Sequence, residues 1–148
     1  MIQKLFHERV LPSPGFYAMF LLLPIAIWIV FLPLNIAFGI FLAIASYLVV
    51  ILVSVWFAPQ TIVTNENLQV GAATLPRSSI GQVKPIDASD AFEERGVLLS
   101  ALAFTKFQFG VKTLVKIYLD DIQDQTPYWL ISTRRPSELV TALGSKNA

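Results

Sequence analysis

The chain has 148 residues, of which 55% are hydrophobic and only 14% charged, with a formal net charge of +1 and no cysteine. That length suits about one domain, and the charged fraction falls well below the quarter typical of soluble domains. Nine basic and nine acidic residues from Gln60 onward exclude the basic face of a nucleic-acid binder, and the missing cysteines exclude a disulfide framework, a zinc knuckle or a thiol nucleophile.

Residues 1–15 read as a short N-terminal stub carrying Lys4 and Arg9. His7, Glu8 and Arg9 read as a polar cluster at a membrane edge. His7 is the sole histidine, and without a Ser-His-Asp partner it does not anchor a nucleophilic triad; pH sensing is the sharper alternative.

Between Arg9 and Glu66 there is no Asp, Glu, Lys or Arg. Within that gap lie two apolar runs, residues 16–32 and 36–57, about 26 and 33 Å long as helices. Both approach the ~20 residues that span a bilayer, and Pro33-Leu34-Asn35 supplies a turn. A buried hairpin in a soluble protein is the competing reading, but the remaining ninety residues offer too little apolar surface to cover both runs. Ala43-Ile44-Ala45 matches a signal-peptide cleavage pattern, yet the apolar stretch before it is too long for one. Residues 16–58 are therefore expected to be two transmembrane helices.

Lys4 and Arg9 precede the first run, Arg77 and Lys84 follow the second, and the turn is uncharged, so the positive-inside rule places both termini in the cytoplasm. Pro24 predicts a kink in the first helix. Gly39, Ala43, Ser46, Val50 and Ser54 form a small-residue stripe on the second, which seats either its own neighbour, a partner's helix or a second copy. Neither run contains an ionisable Asp, Glu, Lys, Arg or His, against an ion or proton path.

From Gln60 the pattern becomes short strands: 61–64 and 68–70 around Asn65-Glu66-Asn67, then 71–76, 80–86, 111–119 and 128–132. In 111–119, Val111, Thr113, Val115, Ile117 and Leu119 face one way, with Lys112, Lys116 and Tyr118 toward solvent and Leu114 an exception. Residues 88–110 have no clear period and are read as a strand, a buried helix or a segment resting on the membrane interface. Pro136 to Gly144 predicts a closing helix with Leu139, Val140 and Leu143 inward. The expected fold class is a membrane α-helical hairpin plus an α+β or all-β domain, 60–148. By order of elements that domain is an antiparallel, pleckstrin-homology-like split barrel closed by one C-terminal helix.

The stretch Thr126 to Leu139 (TPYWLISTRRPSEL), with Phe6-His7-Glu8-Arg9, Leu68-Gln69-Val70-Gly71 and Leu75-Pro76, resembles a domain-of-unknown-function family of small actinobacterial membrane proteins. The resemblance implies the two-span architecture and a cytoplasmic-membrane address, and no activity.

Asp120-Asp121-Ile122-Gln123-Asp124 imitates a magnesium-binding DDxxD motif, but it follows a strand and precedes Gln-Thr-Pro, so a polar turn is expected and no metal. Arg134 and Arg135 stand just before the closing helix, where backbone N–H groups and forked guanidinium groups favour an anion; pairing with Glu138 is the plainer reading. With no catalytic constellation and no cofactor expected, the chain reads as a non-enzymatic, membrane-tethered interaction module, an accessory subunit of a larger membrane complex. Its partners would be the lipid bilayer and a membrane protein or a second copy. The alternative is a sensor of anionic lipid headgroups or another anionic ligand through Arg134 and Arg135.

Overall fold

The computed structural model describes residues 4–121 and 124–144. The chain divides into two compact units, one comprising Leu11–Ala58 and the other the residues up to Val10 together with those from Pro59.

The apolar unit contains α1 (Pro14–Phe20), α2 (Leu22–Phe31) and α3 (Ile36–Trp56). Pro24 has no N–H, so the carbonyl of Phe20 loses its helical partner and faces the proline ring. The helix breaks there: the Leu21 N–H bonds back to the Ala18 carbonyl at 3.3 Å, and α2 starts one residue later. Asn35 ends the turn and caps α3, its side chain accepting from the Phe38 N–H at 3.0 Å. Both Pro14–Phe31 and Ile36–Trp56 are long and apolar enough to cross a membrane. No residue of Pro14–Phe31 is buried, and in α3 only Gly39 and Ala43 are.

The second unit holds β1 (Lys4–Arg9), β2 (Gln60–Thr64), β3 (Asn67–Val70), β4 (Ala73–Pro76), β5 (Ile80–Ile86), α4 (Ala91–Arg95), β6 (Phe104–Lys106), β7 (Leu114–Leu119), β8 (Tyr128–Ser132) and α5 (Pro136–Leu143). One sheet runs β1-β2-β3-β4 and the other β5-β7-β8-β6. All pairs are antiparallel except β6 with β8, and the sheets do not close into a barrel among the described residues. Helix α5 has the bounds the pattern predicts, with Pro136 opening it and Gly144 adopting a positive φ beyond its end.

Residues 4–9 are not a stub. Their alternation buries Phe6 and Glu8, and β1 pairs along β2 from Lys4↔Thr64 to Arg9↔Gln60. The apolar pattern there is too short to register as a strand until its partner, fifty residues on, is known.

Phe6, Val63, Leu68, Val70 and Leu75 of the first sheet share one core with Ile80, Val83, Val115, Ile117, Trp129 and Ile131 of the second and with Leu139 and Leu143 of α5. The other face of the second sheet is not solvated as expected. Ile86, Ala91, Leu114, Tyr128 and Leu130 make a second cluster, flanked by Leu99, Ala103 and Tyr118. This cluster explains Leu114, the exception to the alternation. The segment without a clear period, 88–110, is a short helix, a turn and a three-residue strand, and Ala91, Leu99 and Ala103 cover that face.

Candidate functional site

The small-residue stripe of α3 faces the apolar unit's own helices. A Cβ on Gly39 would lie 2.7 Å from the Phe31 Cβ, so only glycine permits that approach. Ser54 Oγ lies 3.0 Å from the Tyr17 hydroxyl, and the Tyr47 hydroxyl donates to the Tyr17 carbonyl at 3.2 Å. Ser46 instead bonds within its helix, to the Ala43 carbonyl.

Of the expected polar cluster, His7 and Arg9 are exposed and Glu8 is buried, because successive residues of a strand point to opposite faces. Glu8 turns toward the loop between β8 and α5. Its Oε2 accepts from the Thr133 hydroxyl and its Oε1 from the Arg134 N–H at 3.0 Å. Thr133 is fully buried, and its hydroxyl oxygen also accepts the Arg135 N–H at 3.1 Å.

The Arg135 guanidinium pairs with Glu138 at 3.2 Å, donates to the His7 carbonyl at 2.8 Å and stacks 4.9 Å over the Phe6 ring. The position suggested for a bound anion, ahead of α5, therefore already holds a carboxylate of the chain itself. Beside it, Leu5 of the edge strand β1 and Ser137, Glu138, Thr141 and Ala142 of α5 line an open groove of about 440 Å³.

A second polar cluster carries no signal in the sequence. Lys116 bonds to Glu94 at 2.8 Å, with both side chains largely buried, and its ammonium lies 4.3 Å from the Tyr128 ring centre and 5.5 Å from that of Tyr118. Burial works against the ammonium, but the bond to Glu94 and the charge of Glu94 outweigh it, and the pKa lies above the usual lysine value. The Tyr128 hydroxyl accepts from the Ser100 N–H and donates to the Leu98 carbonyl, so this cluster fastens the 88–110 segment to the sheet. Arg77 is likewise structural: it donates to the carbonyls of Ala142 and Leu143 at the end of α5 and to that of Thr64.

Asp120, Asp121 and Asp124 of the DDxxD stretch lie outside helix and strand, in the connection between β7 and β8. The Asp120 N–H bonds to the Ser79 carbonyl. The backbone N–H of Thr126 bonds to the Asp124 carboxylate and holds its pKa below the usual value; Ile122 and Gln123 lie outside the described residues. No group of three potential metal ligands occurs among the described residues.

A family profile described as Protein of unknown function (DUF3093) matches residues 5–143. No curated protein and no solved structure matches the chain.

Proposed function

The chain belongs to the DUF3093 family, and we propose that it is a membrane-tethered, non-enzymatic interaction module, an accessory subunit that offers a β-rich domain to a membrane-protein partner or a second copy. One observation carries the reading: the apolar segment is inserted between two neighbouring strands. β1 and β2 pair antiparallel, and the Val10 N–H bonds to the Pro59 carbonyl at 3.0 Å. A segment that leaves and re-enters one sheet edge returns to the side it left, as a two-span hairpin must. Cleavage at Ala45 would separate β1 from its partner strand. The bare surfaces of α1, α2 and α3 fit lipid, since a helix in a soluble core would be mostly buried.

Lys4, Arg9, Arg77 and Lys84 all belong to the β-rich unit, which supports a cytoplasmic domain and cytoplasmic termini. Two packed sheets with a C-terminal helix support a pleckstrin-homology-like architecture, from which the parallel β6–β8 pair departs. The partner surface is the edge of β1 with the groove along α5, a place where an extended segment adds to a sheet. Glu8 and Lys116, which are buried, and the half-buried Glu94 make internal bonds. Recognition of an anion through Arg134 and Arg135 has less support, because Glu8 takes the N–H of Arg134 and Glu138 pairs with Arg135.

The test is purification of the full chain in mild detergent, beside Leu5→Asp and Thr141→Arg. A stoichiometric protein partner retained by the parent and lost from both variants is expected. Purification of the parent alone and monomeric, from native membranes, would sink the proposal.

A further inference from the structure

We propose that the loop Lys106-Phe107-Gln108-Phe109-Gly110-Val111-Lys112 is a membrane-surface finger, its two phenylalanines seated at the boundary between lipid headgroups and acyl chains and its two lysines on anionic phosphates. The inference rests on the membrane-anchor reading given above.

Two aromatic residues lie between two lysines, and from Gly96 to Leu119 there is no Asp or Glu. Phe109 is 55% and Phe107 37% exposed, and both lysines are exposed. Phenylalanine rings at a membrane surface bury at the boundary between headgroups and acyl chains, where neighbouring lysines meet the negative surface potential. Phe92 is also exposed but stands near Asp90 and Glu93, and is not part of the finger.

The position of the loop follows from strand registers within the β-rich unit. The chain leaves this unit after Val10 and returns at Pro59, at the end of the first sheet where Arg9 pairs with Gln60. The finger lies at that same end. Gly71 donates its N–H to the Gln60 carbonyl, and a Cβ on Gly71 would lie 3.7 Å from the Lys106 Cε. The Gln108 N–H bonds to Ser132 Oγ at 3.1 Å, next to Thr133, which Glu8 holds.

Arg95 fixes the shape of the loop: it donates to the Val111 carbonyl and lies 5.4 Å over the Phe107 ring. Gly110 supplies the turn with φ +73°. By contrast, Asn65 sits in the β2–β3 turn at the opposite end of the first sheet. The finger therefore stands on the rim of the β-rich unit from which the chain departs at Val10 and to which it returns at Pro59.

The cysteine-free chain allows a direct test. The full-length protein is reconstituted into vesicles of brominated phosphatidylcholine, with and without phosphatidylglycerol, carrying one bimane-labelled cysteine at Phe109, Lys112, Asn65 or Leu48. Severalfold stronger lipid quenching at Phe109 and Lys112 than at Asn65 is expected. It should rise with phosphatidylglycerol and fall in the Lys106→Glu variant labelled at Phe109. Quenching at Phe109 and Lys112 no greater than at Asn65, while Leu48 of α3 is strongly quenched, overturns the finger and leaves the anchor standing. An unquenched Leu48 overturns the anchor reading itself. Labels at Phe109 and Lys112 shielded from both lipid bromine and aqueous iodide would assign the loop to a protein contact instead, and a signal indifferent to phosphatidylglycerol removes the lysines' role.

Discussion

Glu8 and Thr133, 125 residues apart, are joined by a buried hydrogen bond, and through it β1 is fastened to the loop that starts α5. The same carboxylate takes the N–H of Arg134. Glu8→Ala strands a buried hydroxyl and an N–H together, which costs about 1–3 kcal/mol for each group left unsatisfied. Glu8→Gln keeps an acceptor for one of them and should lose less. Thermal unfolding in mild detergent is the measurement, and an alanine variant as stable as the parent would refute the bond's role.

The contact between Gly39 and Phe31 sets the second expectation. Any Cβ at position 39 collides with Phe31 at 2.7 Å, so Gly39→Ala should already loosen the helix pair, and Gly39→Leu more so, by about 1–3 kcal/mol as for overpacked cores. Ser46→Ala, which removes only a bond inside α3, should change little. Equal detergent stability of Gly39→Leu and the parent would show that the pair separates without cost.

Lys116 and Glu94 give a pH dependence with a definite sign. The Lys116 pKa is raised in the folded protein, so its contribution is fully present below the unfolded value of about 10.5 and is lost as pH climbs through the higher folded one. The stability difference between the parent and Lys116→Met should therefore be constant near neutrality and shrink above about pH 10.5. Lys116→Ala leaves Glu94 unpaired and nearly buried, at about 3 kcal/mol. A difference that grows with alkalinity would contradict the pair. Urea unfolding across pH measures it.

The place of β1 predicts how the domain divides. Residues from Gln60 onward, expressed alone, lack Phe6 and Glu8 and should not fold cooperatively. Joining residues 4–10 to residue 59 through a short Gly-Ser linker, in place of 11–58, should restore a cooperative melt, because Val10 and Pro59 are already hydrogen-bonded. A cooperative transition in the piece beginning at Gln60 would show that β1 is dispensable.

What the sequence made legible follows from periodicity. Ile80–Ile86 and Tyr128–Ser132 have the bounds their pattern predicts, and Pro136 and Gly144 bracket α5 because a proline start and a glycine stop are local instructions. The small-residue stripe was readable for the same reason, although Phe31, its counterpart, was not. β1 is not legible locally, because a six-residue alternation has meaning only beside a partner far along the chain. Lys116 reads as solvent-facing because nothing local to residues 88–110 announces that they fold back over it. At the candidate site, the sequence pointed to Arg134 and Arg135, yet the residue that organises their loop is Glu8, and a contact across 125 positions leaves no trace in either neighbourhood.

The insertion of α1, α2 and α3 between two adjacent strands also sets a loop-closure cost on the sheet. β1 precedes β2 in the chain, and that partner emerges only after the whole hairpin has been synthesised. Pairing them unaided means closing a loop of some fifty residues, an entropic cost that grows slowly with length. A hairpin already packed shortens that loop, since Tyr17 and Ser54 meet at its base and bring the two chain ends within reach of one another. Pairing of the helices would then lower the cost of closing the sheet, and a chain whose helices fail to pair would leave β1 as an unpartnered, alternately apolar segment. Packing faults at Gly39 would on this account appear first as failure of the β-rich domain to mature.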